Sequence, residues 1–165
     1  MLRILHLSDF HYKDRNDIDF KIVVGDICNN LNNQVIDLVV FSGDLVHEDK
    51  GVDHYVSAQR VLIDPILTKL NLQRERLLLT PGNHDKTQKG EMSAITEMLA
   101  KCNTTKEIEK VLADKRQSDA SMVDMTNYLQ FTDDFYGEPC PSKFYRTRIV
   151  TIENKQYGLV SVNSA

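Results

Sequence analysis

Metal-binding types of side chain follow three separate apolar runs of this 165-residue sequence. The strings are SDFH after the first run, SGD after the second and PGNHD after the third. They contain Asp9, His11, Asp44, Asn83, His84 and Asp85. Carboxylate, imidazole and amide groups bind divalent cations, and cations held in pairs promote the hydrolysis of phosphate esters by metal-bound hydroxide. These residues therefore favour a hydrolytic metal site.

The spacing within the first two strings explains how their residues can share cations. Asp9 and His11 are two residues apart, so in extended backbone their side chains project to the same side. Their Cα atoms then lie about 7 Å apart, which allows both side chains to close on one cation. Gly43 lets the main chain approach closely, and the two carboxylate oxygens of Asp44 can bridge two cations.

The third string combines a metal ligand with a proton donor. Pro81 and Gly82 form a turn that brings Asn83 to the site, where its neutral carbonyl oxygen suits a second cation. The next residue, His84, can donate a proton to a departing oxygen. Asp85 is predicted to hold the imidazole of His84 in the required tautomer.

The three strings follow predicted strands that alternate with predicted helices. The strands are predicted at residues 3–7, 37–41 and 76–80, and the helices at 18–35 and 55–70. Pro65 indicates a kink or a restart within the second helix. This βαβαβ order predicts an α/β fold with largely parallel strands, and ligands of such sheets bind at the carboxyl ends of the strands.

Residues 86–136 interrupt this alternation with two or three amphipathic helices. Thr104 and Glu107 are predicted to form a capping box. A stripe of larger side chains indicates core packing rather than a ligand pocket, and its members are Met122, Met125, Tyr128 and Leu129. Residues 144–153 and 156–162 then predict a hairpin joined by Asn154 and Lys155, so the fold prediction is a mixed sheet with βαβ units.

The composition limits the class of protein. The sequence is 41% hydrophobic and 27% charged, which is typical of a globular domain. A net charge of -4 gives no general attraction to nucleic acid or to anionic membrane. The apolar runs are far shorter than the roughly 20 residues that span a bilayer. Three scattered cysteines without a Cys-x-x-Cys pair indicate free thiols, so we expect a cytoplasmic protein without membrane contact.

The remaining histidines receive structural interpretations. His6 lies inside the first predicted strand and is expected to be a hydrogen-bonded structural residue near the site. A polar cluster after the second strand could contact substrate or a cation but is interpreted as a solvated loop. Its members are His47, Glu48, Asp49, Asp53 and His54.

The strings DFH, GDLV and GNHD, in this order and each after a predicted strand, resemble the first three signature blocks of the calcineurin-like metallophosphoesterase family. The blocks span residues 9–85, and the final strand with the string SVNSA is similar to a later strand of the family. The resemblance implies a phosphate mono- or diesterase with two divalent metal ions of the Mn, Fe, Zn or Ni type, with Mn favoured.

The same resemblance implies a role for each residue. Asp9 and His11 would bind one metal ion, Asp44 would bridge the two ions, and Asn83 would bind the second. His84 would act as the acid and would also contact the phosphate group of the substrate.

The sequence departs from the family pattern in its second half. The family also has a lone histidine and a Gly-His-x-His block further downstream, and neither occurs here. The second ion would hold only Asp44 and Asn83, fewer than the about three protein ligands of a catalytic site. We therefore expect residues 1–165 to form a domain that is incomplete at its C-terminus, with a partial two-layer sandwich and further C-terminal domains.

Two alternatives to a phosphate-ester hydrolase remain open. The string LHLSDFH is also similar to the opening block of the recombination nucleases of the family, which makes nucleic acid an alternative substrate. The fold also serves as a non-catalytic scaffold that binds proteins when its metal site has degenerated.

Overall fold

The structure, a computed structural model, describes residues 1–14, 17–87, 98–113 and 123–163. Strands and helices alternate through its first half, and the described part of the second half contains helices and a hairpin. In chain order the elements are β1 (Ile4–Leu7), α1 (Asp17–Asn30), β2 (Leu38–Ser42), α2 (Val52–Ala58), α3 (Asp64–Leu70), β3 (Leu77–Thr80), α4 (Thr105–Ala113), α5 (Thr126–Tyr136), β4 (Tyr145–Ile152) and β5 (Lys155–Val162).

The first three strands form a parallel sheet in the order β1, β2, β3. Leu7 pairs with Phe41, and Phe41 pairs with Leu79, so the three strands end at nearly the same level. Strands covered on both faces require nearly continuous apolar sequence, and the central β2 buries Leu38, Val39 and Phe41. The predicted α/β class with parallel βαβ units is confirmed, and the carboxyl ends of the strands share one edge.

The helices α2 and α3 are joined without a loop by a π-helical turn, Gln59–Ile63. Pro65 lies in the first turn of α3, where its missing N–H group removes no helical hydrogen bond. The predicted restart at Pro65 is confirmed, with the widened turn immediately before it. This continuous segment buries Leu62 and Ile66 against the sheet core.

The helical segment predicted at residues 86–136 is described in part. Thr104 and Glu107 form the predicted capping box at the start of α4, because each side chain hydrogen-bonds the main-chain N–H group of the other. In α5, Tyr128 and Phe131 are buried, and the ring of Phe131 stacks on Tyr55 with centroids 5.3 Å apart. The core role predicted for Tyr128 is confirmed, whereas Met122 lies outside the described residues.

The strands β4 and β5 form an antiparallel hairpin. Its turn residues, Glu153 and Asn154, have φ values of 47° and 63°, as a tight two-residue hairpin turn requires. The connection therefore has the predicted length but lies one residue earlier than predicted. The Ser161 hydroxyl in β5 donates to the carbonyl of Leu79 at 2.8 Å and attaches the hairpin to β3.

None of the helices in the described ranges combines the length and the apolar character that a membrane crossing requires.

The bond between the hairpin and β3 gives a stability prediction. The Ser161→Ala variant should lose about 1 kcal/mol of unfolding free energy, because the buried Leu79 carbonyl loses its donor. Urea unfolding followed by circular dichroism measures this loss. The matched control is Ser57→Ala, since the Ser57 hydroxyl donates to the Asp53 carbonyl within α2. Equal unfolding midpoints for the wild type and Ser161→Ala would contradict the prediction.

Candidate functional site

The loops that follow the three parallel strands run side by side. The N–H groups of Asp9 and His11 donate to the carbonyls of Gly43 and Asp44 at 3.0 and 2.9 Å, which joins the first two loops. The third loop is attached to the second, because the N–H group of His84 donates to Asp44 Oδ1 at 2.9 Å. The convergence expected from parallel strands therefore extends beyond the strand ends.

Asp9, His11 and Asp44 form one compact donor set. The Nε2 atom of His11 lies 3.8 Å from Oδ1 of Asp9 and 3.7 Å from Oδ2 of Asp44. One donor atom from each residue lies within 4.8 Å of the others. Ligand bonds of about 2.1 Å place two donors of one ion roughly 3 to 4 Å apart, so this set fits a divalent cation.

The main chain at these three residues has an uncommon conformation, and the extended backbone predicted across Asp9 and His11 is wrong. Asp9, His11 and Asp44 have φ values of 57°, 49° and 55°, in the left-handed region that side chains other than glycine rarely adopt. Such conformations cost about 1 to 3 kcal/mol each and persist only where the surroundings enforce them. The hydrogen bonds between the loops provide that enforcement.

Two glycines allow the second and third loops to approach each other. A Cβ atom at Gly82 would lie 2.2 Å from Asp44 Oδ1, and a Cβ atom at Gly43 would lie 2.9 Å from the Cα atom of Gly82. Both distances are far below van der Waals contact. The close approach predicted for Gly43 is confirmed, and Gly82 is needed for the same reason.

Asp85 connects the same two loops from inside the protein. Its carboxylate accepts the N–H groups of Leu45 and Val46 at 3.2 Å and that of Gly82 at 3.0 Å, and the residue is fully buried. Burial raises the pKa of Asp85 to about 6, although these three N–H groups oppose the shift by stabilising the ionised form. The carboxylate therefore satisfies N–H groups that the ends of the strands leave unpaired.

The role predicted for Asp85 as the partner of the His84 imidazole is wrong. The Nδ1 atom of His84 lies 2.8 Å from the main-chain carbonyl of His47. The Asp85 carboxylate is directed to the main-chain N–H groups instead, because an uncompensated buried donor is more costly than a partly exposed imidazole.

His47, for which the sequence favoured a solvated loop over contact with substrate or a cation, is a member of the site. One nitrogen each from His11, His47 and His84 lies within 4.8 Å of the others, and the rings of His11 and His84 are 4.6 Å apart. Desolvation, followed by the positive charges of Lys13 and neighbouring histidines, lowers the pKa of His47, which favours its neutral form. The sequence contained one indication of this position: His47 follows the predicted metal ligand Asp44 by only three residues, so it lies in the same loop.

The solvated-loop interpretation is also wrong for two other members of the polar cluster. Asp49 and His54 are 8% and 6% exposed. In the His54 ring, Nδ1 lies 3.0 Å from the main-chain carbonyl of Glu48, and Nε2 lies 3.7 Å from Oδ1 of Asp14. Hydrogen bonds compensate for the burial of the Asp49 carboxylate, whereas only Nδ1 of the buried His54 ring has a hydrogen-bond partner.

The remaining predicted residues lie at the rim of the site. Asn83 has an exposed side chain and lies between Gly82 and His84, both of which pack against Asp44. The Nε2 atom of His6 lies 2.7 Å from the Ser42 hydroxyl, which confirms its predicted structural role. The structure thus brings together Asp9, His11, Asp44 and His84, adds His47, and places Asp85 behind them.

Comparisons with known proteins bear on this site. The model of the calcineurin-like phosphoesterase family matches residues 2–155. The chain is also similar to an uncharacterised metallophosphoesterase-like protein of Bacillus subtilis, YydB, with 22% identity over 167 aligned positions. The alignment covers 99% of this chain and 33% of YydB, so the chain spans about a third of the length of that relative.

The close packing of Gly82 against Asp44 predicts that a Cβ atom at position 82 weakens metal binding. The Gly82→Ala variant should bind Mn²⁺ at least about tenfold more weakly, because its Cβ atom displaces the Asp44 carboxylate. Isothermal titration calorimetry measures the affinity. Gly25→Ala is the matched control, since a Cβ atom at Gly25 meets no atom within 4 Å. Unchanged affinity in Gly82→Ala would refute the packing argument.

The buried Asp85 carboxylate predicts that an amide of nearly the same size at this position lowers stability. Asp85→Asn should lower the unfolding free energy by about 2 to 3 kcal/mol, because an amide NH₂ group would face main-chain N–H donors. Urea unfolding measures the loss. The control is Asp26→Asn on the exposed surface of α1, where a change below about 0.5 kcal/mol is expected. Comparable losses in the two variants would count against this role for Asp85.

Proposed function

Because the chain belongs to the calcineurin-like phosphoesterase family, we propose that it is a metal-dependent hydrolase of phosphate esters. One observation carries the proposal: Asp9 and His11 from the loop after β1 and Asp44 from the loop after β2 direct nitrogen and oxygen donors to one point. Strained backbone at all three residues supports it, because such strain concentrates at functional sites.

Members of this family typically depend on two metal ions. In our proposal Asp9, His11 and Asp44 hold the first ion, and Asp44 shares the second with Asn83. When bound, divalent cations lower the pKa of water and neutralise charge on the phosphoryl group. A donor set of mixed carboxylate, imidazole and amide groups suits Mn²⁺, which we propose as the activating ion, and is also compatible with Fe²⁺, Zn²⁺ or Ni²⁺.

His84 is the proposed proton donor to the leaving oxygen. The His47 carbonyl can only accept a hydrogen bond, so the Nδ1 atom of His84 carries the hydrogen in their 2.8 Å contact. In the proposed donor form, the imidazolium, the second hydrogen is on Nε2, which transfers that proton to the leaving oxygen and is left as an acceptor. The bond from the His84 N–H group to Asp44 Oδ1 fixes this donor relative to the metal ligands.

The supporting residues keep this arrangement in place. Asp85 ties the Asp44 loop to the His84 loop through three main-chain N–H groups. Gly82 leaves room for the Asp44 carboxylate. A hydrolytic site benefits from this preorganisation, because its groups need not rearrange as charge develops.

The substrate and the setting are further parts of the proposal. We propose small phosphate mono- or diesters as substrates in preference to DNA, since the net charge of -4 offers nucleic acid no general attraction. The greater length of YydB supports a larger protein whose additional residues supply further ligands for the second ion. The free cysteines are compatible with the reducing cytoplasm, which is the proposed location.

The test of the proposed function is hydrolysis by the purified protein with Mn²⁺. Asp44→Asn should lower kcat by about 10³-fold or more, because the bridging carboxylate loses charge and one acceptor oxygen. The assay uses p-nitrophenyl phosphate, bis-p-nitrophenyl phosphate and single-stranded DNA, and Asp26→Asn is the charge-matched control. Near-normal hydrolysis by Asp44→Asn would refute the bridging role. A full-length wild type that neither binds Mn²⁺ nor hydrolyses any of the substrates would favour the scaffold alternative.

A further inference from the structure

Asp49 is a buried carboxylate that joins three parts of the chain. It is 8% exposed, and its Oδ2 atom accepts the hydroxyl of Thr87 at 2.9 Å. The side-chain amide of Asn127 donates to both carboxylate oxygens at 3.1 Å, and the N–H group of Gly51 donates to Oδ1 at 2.9 Å. The donors belong to the loop after β2, the loop after β3 and the helix α5.

These bonds connect the two loops that carry His47 and His84. Asp49 follows His47 by two residues, and Thr87 follows His84 by three. The N–H group of Thr87 also donates to the carbonyl of Asp124 at 2.8 Å, immediately before α5. The helix and the residue before its cap therefore support both loops at one point.

The Asp49 bonds also fix the peptide group that orients the His84 ring. Val46 is held by Asp85 at 3.2 Å, and the N–H group of His47 donates to the Tyr12 carbonyl at 3.1 Å. The Asp49 bonds hold the other end of this short segment. A peptide anchored on both sides has little freedom to rotate, so the His47 carbonyl stays directed at Nδ1 of His84.

We propose that Asp49, Thr87 and Asn127 form a positioning clamp that keeps the His84 ring aligned for proton transfer. This inference rests on the proposed role of His84 and assigns no contact with substrate to the clamp. A misplacement of about 1 Å at a reacting group can lower a rate by about 10²-fold, so loosening the clamp affects catalysis while leaving metal binding intact. The clamp also gives α5 a function beyond core packing.

The variant that tests the clamp with least risk to folding is Thr87→Ala, which removes one hydroxyl group. It should lower kcat about tenfold with KM and Mn²⁺ content unchanged, and Thr87→Ser should restore kcat because it restores the donor. The matched control is Thr132→Ala in α5. Thr132 is also buried, but its hydroxyl donates to the Leu129 carbonyl at 3.0 Å within the same helix.

A second measurement separates failure of the clamp from failure of the proposed function. In long-range ¹H–¹⁵N spectra of the Zn²⁺-loaded protein, the His84 ring signals should shift in Thr87→Ala, remain in place in Thr132→Ala and return in Thr87→Ser. This readout needs no catalytic turnover, so a wild type without hydrolytic activity leaves it interpretable. Unshifted His84 signals in Thr87→Ala, or equal loss of kcat in Thr87→Ala and Thr132→Ala, would overturn the clamp.

Discussion

Asp85 has no access to solvent, and it accepts three main-chain hydrogen bonds from the loops that follow β2 and β3. The two loops are not paired with each other as strands at this point, because the ladder between β2 and β3 ends at Ser42 and Thr80. The loop after β2 pairs instead with the loop after β1, through a parallel bridge between Val46 and Tyr12. A buried carboxylate that lost these donors would be strongly destabilising, so the two loops are kept together wherever the sheet core is folded. The left-handed backbone at Asp44 and the missing side chain at Gly82 are both consequences of this close approach.

The residues that hold the loops in place differ from those that are proposed to bind the metal ion. Asp85 and Asp49, which hold the loops, are buried, and Asp44 is buried with them, whereas Asp9 and His11 reach solvent. The side chain of Asp9 is 66% exposed and that of His11 is 32% exposed, so a cation and a phosphate group can approach them. Rigidly held loops that carry solvent-accessible donors are expected of a site that binds a charged ligand without rearranging.

Local sequence was sufficient to predict the strands, the order of the elements and the donors at the strand ends. The contacts between loops were not predictable from local sequence. Which side chain accepts an unpaired N–H group depends on how closely the loops pack in the folded protein. Asp85 was thus assigned to its sequence neighbour His84, and His47 was assigned to solvent. The end of α1 shows the same limit: apolar spacing continued to Val35, but the helix ends at Asn30, and Asn33 has a φ of 65°.

The central claim is that donors from separate loops hold one cation, and its most direct test is a crystal structure of the protein grown with Mn²⁺. Data collected at a wavelength where manganese scatters anomalously locate the ion without reference to the protein atoms. We expect an anomalous peak within about 2.4 Å of a side-chain donor atom of each of Asp9, His11 and Asp44. A fully occupied manganese ion elsewhere, with these three side chains left unligated, would contradict it.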